Sequence, residues 1–216
     1  MMVAVAEPRV SASCFLGSSF MKSFTRHSGI VAPLDRSNVD TDQIIPKQFL
    51  KRIERTGFGQ FLFFDWRFEP DGTEKPDFVL NQSAFRSASI LVGRQNFGNG
   101  SSREHAVWAL DDFGIRCVIA ESFADIFFNN CSKNGVLPVV LTTEEVETIH
   151  QKIAASENFQ LTVDLEQMTV TDGNGFEASF TLDDFRRQCF LQGLDHIALT
   201  LQHEDKIATF EASRVQ

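Results

Sequence analysis

Short apolar runs alternate with amphipathic segments through the middle of the chain. The apolar runs, each short enough for a buried strand, lie at 29–34, 89–93, 115–120 and 136–141. Segments with the spacing of an amphipathic helix follow the last three runs, at 101–113, 122–134 and 143–153. Alternation of strand, helix and strand is typical of a parallel sheet covered by helices. The pattern therefore predicts an α/β fold.

The pattern changes towards both ends of the chain. Residues 160–180 alternate between apolar and polar positions around Asp172-Gly173-Asn174-Gly175, which predicts a hairpin. Two further amphipathic helices are predicted at 183–192 and 197–210. Residues 1–20 are rich in Ser and Ala and show no sustained period. We therefore predict a disordered extension over 1–20 and a single domain over 21–216.

The segment from Gln95 to His105 lies between a predicted strand and a predicted helix and contains two glycines. Ser101 and Glu104 have the spacing of a capping box, which predicts that the helix begins at Ser101. Free backbone N–H groups and the helix dipole at such a position favour an anion. Arg103 is unexpected there, because the amino end of a helix prefers negative charge, unless its guanidinium binds an anionic ligand such as a carboxylate. In the alternative interpretation, Ser101 and Glu104 only cap the helix and Arg103 is solvated.

Two other polar segments precede the central strand. Residues 38–42 contain two Asp and a Thr, which is typical of a turn. The two carboxylates could also be metal ligands, but no nearby residue completes a ligand set. Residues 46–55 carry four cations and one Glu in a chain of net charge -9. This second segment is either a solvated helix face or a loop that attracts a dicarboxylate.

Charge and cysteine content exclude several classes of function. The net charge of -9 argues against a nucleic-acid partner, and no apolar run reaches the roughly 20 residues that span a bilayer. The four cysteines form no C-x-x-C pair and no iron–sulfur ligand run. They are typical of buried free thiols in a reducing cytoplasm. We therefore predict a cytoplasmic protein with no membrane partner and no metal site or cofactor of its own.

Three motifs together resemble a known family. Gly100-Ser101-Ser102-Arg103-Glu104-His105, the segment from Asn38 to Pro46, and the segment from Ser122 to Asn130 are similar to landmarks of the swivelling domain of the aconitase superfamily. Within that superfamily, the chain resembles the small subunits of 3-isopropylmalate dehydratase from Met21 nearly to the C-terminus. The resemblance implies a three-layer swivelling β/β/α domain with a C-terminal hairpin and helices.

The resemblance also implies a reaction and a partner. The family's enzymes are hydro-lyases that convert 2-isopropylmalate to 3-isopropylmalate by dehydration and rehydration through isopropylmaleate, in leucine biosynthesis. Their [4Fe–4S] cluster is implied to lie on a separate large subunit. The chain is therefore expected to act on a dicarboxylate only in a heterodimer, or a larger assembly, with that subunit.

Matching the motifs residue by residue implies roles in catalysis. Ser101 is implied to be the general base and Asp42 a functional carboxylate that orients other groups. Ser102 and Arg103 are implied to bind a substrate carboxylate. The implied substrate-specificity loop is Phe49, Leu50, Lys51 and Arg52. Supporting positions behind the site are implied for Thr41, Glu104 and His105.

Other functions remain open at this stage. The chain could belong to a related hydro-lyase that acts on citramalate or homocitrate, and Asn99, where relatives often carry Cys, bears on this choice. It could instead be a non-catalytic carboxylate-binding or regulatory module, or a partner with only a structural role. A binding module would bind a diacid alone, and a structural partner would tolerate replacement of Ser101 and Arg103.

Overall fold

A computed structural model describes residues 21–51 and 56–214, so the predicted extension over 1–20 lies outside the described residues. The strands are β1 (Arg26–Pro33), β2 (Ile90–Val92), β3 (Cys117–Ala120), β4 (Leu137–Val140), β5 (Gln160–Asp164), β6 (Thr169–Thr171) and β7 (Glu177–Ser179). The α-helices are α1 (Thr41–Ile44), α2 (Phe64–Arg67), α3 (Glu104–Phe113), α4 (Asp125–Asn134), α5 (Thr143–Ala155), α6 (Asp184–Gln192), α7 (His196–Leu201) and α8 (Glu204–Arg214).

The strands form one mixed sheet of seven strands in the order β4-β3-β2-β1-β5-β6-β7. Strands β1 to β4 are parallel, with Val31 opposite Ile90 and Ile90 opposite Cys117. Strand β5 joins the other edge of β1 in antiparallel orientation, and β6 and β7 continue from it. The predicted α/β fold with a parallel sheet and a later hairpin is confirmed.

The two central parallel strands, β2 and β3, are buried on both faces, as expected for strands covered by helices. One face carries Ala32, Leu91 and Val118, which pack under α3 and α4. The opposite face packs under α5 and α6, and the antiparallel strands contribute to the same cluster. The parallel part of the sheet therefore lies between two layers of helices.

Two predicted helix starts are wrong. Helix α3 begins at Glu104 and not at Ser101, and Arg103 is its N-cap without a side-chain cap. Glu104 is therefore the first helical residue and not the third, as the expected capping box requires, and its carboxylate accepts a hydrogen bond from Asn134 Nδ2 at 2.9 Å. Helix α4 begins at Asp125 and not after Ser122, whose hydroxyl accepts the Asn96 N–H at 2.8 Å. Both side chains are engaged in contacts between distant segments.

Other helix boundaries follow local sequence rules. Thr142 caps α5 in a complete capping box with Glu145, so the helix begins at Thr143, the first residue of the predicted segment 143–153. Gly135 ends α4 in the left-handed conformation, as predicted. The predicted helix over 197–210 is instead two helices, α7 and α8.

Asp172 fixes the turn between β6 and β7. Its side chain is 4% exposed and accepts the Lys152 ammonium at 2.8 Å, and it also accepts the N–H groups of Asn174 and Phe176. Burial would raise the pKa of this carboxyl, but the hydrogen bonds from Lys152 and the two N–H groups outweigh it and lower the pKa. The folded state therefore favours the ionised form.

We expect Asp172→Asn to lower the free energy of unfolding at pH 7 by about 1–3 kcal/mol, since it removes a charge-assisted hydrogen bond. Because the folded pKa lies below the unfolded value, the wild-type advantage is complete above about pH 5 and shrinks as the pH falls towards 3. Urea denaturation at several pH values measures this. Exposed Asp77→Asn is the control, and equal stabilities of Asp172→Asn and wild type at every pH would contradict the prediction.

Candidate functional site

The loops that follow β1 and β2 lie side by side at the carboxyl edge of the sheet. Gly98 N–H donates to the carbonyl of Val39 at 2.7 Å, and Thr41 N–H donates to the carbonyl of Asn99 at 2.9 Å. Since β1 and β2 are parallel neighbours, their carboxyl ends meet at one edge, where ligands of open α/β sheets usually bind. Two of the sequence motifs are therefore joined by backbone hydrogen bonds.

The third motif contacts the same loop. Phe97 N–H donates to the carbonyl of Ser122 at 3.0 Å, and Ala124 N–H donates back to the carbonyl of Phe97 at 3.0 Å. The Phe97 side chain is fully buried and packs against the rings of Phe123 and Phe127. This aromatic cluster fixes the middle of the loop.

Gly98 is required by both backbone conformation and space. Its φ is +76°, and a Cβ there would lie 2.1 Å from Cγ of Phe127. The loop therefore approaches α4 more closely than any other residue type allows.

We expect Gly98→Ala to lower the free energy of unfolding by about 2–4 kcal/mol, from about 1 kcal/mol of strain at positive φ and about 1–3 kcal/mol of overpacking against the ring. Gly173→Ala is the matched control, because Gly173 also has a positive φ, +66°, but no atom lies within 4 Å of its added Cβ. Urea denaturation of both variants measures the difference. Equal losses of unfolding free energy in the two variants would contradict the prediction, because the added Cβ at residue 98 would then contact Phe127 at no cost.

An ion pair joins the two loops at the edge. Arg103 Nη1 donates to Asp42 Oδ1 and also to the carbonyl of Ile45 at 3.4 Å. The Arg103 side chain is 15% exposed, whereas the Asp42 side chain is 51% exposed. Within the described residues these bonds use only Nη1, so Nε and Nη2 remain available to a ligand. Sequence reasoning proposed both residues for the site, and the structure brings them into contact.

Ser101 and Ser102 immediately precede Arg103 in the chain, and both are exposed. The buried Thr41 donates its hydroxyl to the carbonyl of Ser101 at 2.9 Å. Thr41 therefore holds the backbone of the serine and leaves the serine hydroxyl open. Because α3 begins at Glu104, Ser101 precedes the helix by three residues and does not occupy its first turn.

Glu104 and His105 lie behind the loop, in the first turn of α3. Glu104 accepts a hydrogen bond from Asn134, which in turn accepts the Trp108 indole N–H at 2.9 Å. The His105 ring packs against Phe58 and Trp108, with ring centroids 5.4 and 4.5 Å away. Burial lowers the pKa of His105, so its neutral form is favoured. Both side chains fix the position of α3.

The implied specificity loop is anchored by aromatic stacking. Phe49 stacks on Phe61 with ring centroids 4.0 Å apart and meets the edge of Phe64 at 4.8 Å. Leu50 is half-buried and Lys51 is exposed, while Arg52 lies outside the described residues. Residues 47–49 form a short 3-10 helix on which Lys47 and Gln48 are exposed, so both the solvated helix face and the loop that attracts a dicarboxylate stay open.

Asp40 is a positioning residue that sequence reasoning missed. Its carboxylate accepts the Gln43 N–H at 2.8 Å, and the Gln43 side chain accepts the Asp40 N–H at 3.0 Å. This capping box fixes α1 and thereby Asp42. The spacing of Asp40 and Gln43 was the available signal.

The described residues do not fit an iron–sulfur cluster. They contain no group of three or more His, Cys, Asp or Glu side chains that could hold a metal ion. Cluster ligands are thiolates, whereas Cys117, Cys131 and Cys189 are buried free thiols and burial raises the pKa of each.

No segment of the described helices has the length and hydropathy needed to span a membrane.

The edge therefore combines a fixed guanidinium, two exposed hydroxyls and a carboxylate. A guanidinium with free N–H groups suits a carboxylate ligand. A hydroxyl beside a cation can lose its proton more readily than a free one. The arrangement is suited to binding a carboxylate and moving a proton next to it.

Family models of known proteins match most of the chain. Residues 21–144 match the aconitase C-terminal domain, and residues 147–184 match a model described as LeuD_N. Residues 197–216 match the C-terminal domain of the 3-isopropylmalate dehydratase small subunit.

Curated proteins and a solved structure are similar over nearly the whole chain. The 3-isopropylmalate dehydratase small subunit of Rhodopirellula baltica is 68% identical over 195 residues, which cover 90% of this chain and 100% of that protein. That of Koribacter versatilis is 62% identical, covering 88% of this chain and 98% of the relative. A crystal structure of 3-isopropylmalate dehydratase from Methanocaldococcus jannaschii matches with a TM-score of 0.63 and 24% identity, covering 87% of this chain and 99% of that one. The last comparison shows a shared fold.

Proposed function

Because this chain belongs to the family of 3-isopropylmalate dehydratase small subunits, we propose that its carboxyl-edge loops supply the proton-transfer and carboxylate-binding half of the active site. The enzyme is a hydro-lyase of the aconitase family in leucine biosynthesis. The observation that carries the proposal is the Arg103–Asp42 ion pair, with the exposed Ser101 and Ser102 immediately before Arg103 in the chain. All of these residues lie in two of the family's motifs.

The proposed reaction interconverts 2-isopropylmalate and 3-isopropylmalate by removing water and returning it. A proton must leave the carbon next to a carboxylate, which requires a base and a nearby positive charge. We assign Ser101 as that base, acting as an alkoxide. A free serine hydroxyl is too weak an acid for this role, and the Arg103 guanidinium supplies the charge that favours the alkoxide.

Arg103 has a second role in this proposal. Asp42 and the carbonyl of Ile45 occupy Nη1, so Nη2 and Nε can pair with a substrate carboxylate in two parallel hydrogen bonds. Ser102 adds a further hydrogen bond. Asp42 fixes the orientation of the Arg103 guanidinium, because the two side chains are already paired before the substrate binds.

The hydroxyl that leaves needs a Lewis acid, and we assign the [4Fe–4S] cluster that supplies it to the large subunit. This assignment is supported by the poor fit of the three thiols in the described part of the chain to a cluster. It makes the large subunit an obligate partner. We also assign the chain to the cytoplasm, because free buried thiols are typical of reducing compartments.

Substrate choice is proposed to lie with Leu50, Lys51 and Arg52. Phe49 contributes by anchoring the loop through its stacking on Phe61. An apolar side chain beside cations suits a diacid that carries a branched alkyl group. Citramalate carries a methyl group in place of that alkyl group, and homocitrate, a triacid, carries a carboxyethyl group there.

The proposal is tested by assaying a panel of 2-hydroxy acids with this chain and its cognate large subunit, prepared without oxygen. We expect kcat/KM for 2-isopropylmalate to exceed that for citramalate by at least about tenfold, since a smaller apolar group changes binding by about 1–3 kcal/mol. The preference over homocitrate should be at least as large, because homocitrate places a charged carboxylate where the isopropyl group would bind. Leu50→Ala should reduce that preference. A higher kcat/KM for another diacid would overturn the substrate assignment.

A further inference from the structure

A charged cluster lies beneath the two site loops, on residues to which no role has been given above. Arg94 Nε donates to Asp35 at 2.5 Å, and Arg94 Nη1 donates to Glu147 at 2.7 Å and lies 3.9 Å from Glu121. Asp35, Arg94 and Glu121 follow the ends of β1, β2 and β3, and Glu147 lies on α5. We call these four residues the Arg94 cluster.

The Arg94 cluster is partly shielded from water and strongly paired. The side chains of Arg94 and Glu121 are only 18% and 16% exposed. The hydrogen bonds from Arg94 lower the pKa of Asp35 and of Glu147, so both carboxylates are ionised near neutral pH. Burial lowers the pKa of the neighbouring His150, so the histidine adds no competing cation. One guanidinium therefore holds several carboxylates.

Arg94 also stands where both site loops leave the sheet. Its N–H donates to the carbonyl of Arg36 at 3.2 Å, and Asn38 N–H donates to the carbonyl of Gln95 at 2.9 Å. The loop that carries Asp42 and the loop that carries Ser101 are thus joined first at Arg94 and only then at Val39 and Gly98.

We propose that Arg94 is a positioning residue that clamps the loop after β1 to the loop after β2 through Asp35, and so sets the geometry of Ser101, Asp42 and Arg103. Its effect on turnover rests on the proposed function, but its effect on the loops does not. The clamp requires a guanidinium, because the contact with Asp35 is made by Nε, the inner nitrogen of the side chain. A lysine carries its only nitrogen at the end of the side chain and has no donor at the position of Nε.

The chain itself offers a matched pair of variants. Asp35→Asn removes the charge on the loop side of Arg94, whereas Glu147→Gln removes the charge on the α5 side. Both changes replace a carboxylate bonded to the same guanidinium by an amide. If Arg94 clamps the loops, Asp35→Asn should speed amide exchange in the loops and lower kcat, whereas Glu147→Gln should not. If Arg94 only contributes to overall stability, the two variants should have similar effects.

The first readout is hydrogen exchange of the backbone amides of Gly98 and Asn99, both bonded to the Val39 carbonyl, in the full chain. Arg94→Gln, Arg94→Lys and Asp35→Asn should each accelerate exchange there by about tenfold or more, because the loops open locally. Glu147→Gln should leave these rates within about twofold of wild type.

The second readout is the kinetics of the complex with the large subunit. Arg94→Gln and Asp35→Asn should lower kcat by about 10- to 100-fold, the loss typical of a small misplacement of reacting groups, with KM within about threefold of wild type. Arg94→Lys should not restore kcat, and Glu147→Gln should retain it. If Arg94→Gln does not fold, Asp35→Asn carries both tests.

Several results would overturn the proposal. These are unchanged exchange in Asp35→Asn, equal effects of Asp35→Asn and Glu147→Gln, or faster exchange without any fall in kcat. A wild-type complex that does not turn over 2-isopropylmalate would instead refute the proposed function, and the exchange comparison would still decide whether Arg94 clamps the loops.

Discussion

Ser101→Ala in the assembled enzyme is expected to lower kcat by about 10²- to 10⁴-fold, the range that a positioned general base contributes. The free energy of unfolding should stay close to that of wild type. Thr41 holds this part of the loop through the carbonyl of Ser101 and not through its hydroxyl, and the side chain is exposed. Steady-state kinetics of the reconstituted complex and urea denaturation of the chain measure the two quantities.

Ser156→Ala is the matched control for this substitution. Ser156 is also exposed and lies at the end of α5, so it reports the cost of losing a surface hydroxyl. We expect its kcat to remain at the wild-type value. Turnover by Ser101→Ala within about threefold of wild type would contradict the assignment of Ser101 as the base.

Arg103→Lys is expected to lower kcat/KM by about 10- to 100-fold. Lysine keeps the positive charge but has a single nitrogen. It cannot bond to Asp42 through one nitrogen and to the substrate through others, as the Arg103 guanidinium is proposed to do. Hydrogen bonds to charged groups contribute about 1.5–3 kcal/mol, which corresponds to this loss. Arg86→Lys is the control, because Arg86 forms a comparable ion pair with Glu74 on an exposed surface.

A double-mutant cycle shows whether Asp42 acts through Arg103. If it does, Asp42→Asn should cost much less in the Arg103→Lys background than in wild type, since residues in contact are not additive. Additive losses would mean that Asp42 acts independently of the guanidinium. An unchanged kcat/KM in Arg103→Lys would remove Arg103 from the site.

Apolar runs predicted the parallel part of the sheet because β2 and β3 are buried on both faces and most of β4 is buried. The hairpin around Asp172 was equally predictable, since its turn sequence is local. Helix starts failed where a capping side chain had a distant partner. Glu104 bonds to Asn134, and Ser122 bonds to Asn96. Such contacts between distant segments cannot be predicted from the spacing of nearby residues.

The site followed from the sequence only in part. Motif resemblance named Asp42 and Arg103, but their ion pair depends on β1 and β2 being neighbours, and periodicity does not determine strand order. The anchoring of Phe49 by Phe61 likewise depends on how the chain folds back between α1 and α2. The Arg94 cluster was not foreseen, because its residues come from four separate segments.

The measurement that tests the division of labour most directly is a titration of this chain into a fixed amount of the cognate large subunit, with 2-isopropylmalate turnover as the readout. Each component is also assayed alone. We predict no turnover by either component and activity that rises with added chain until it saturates, while the Ser101→Ala chain competes with wild type for the large subunit. Equal turnover by the large subunit with and without this chain would contradict the proposal that the chain supplies half of the active site.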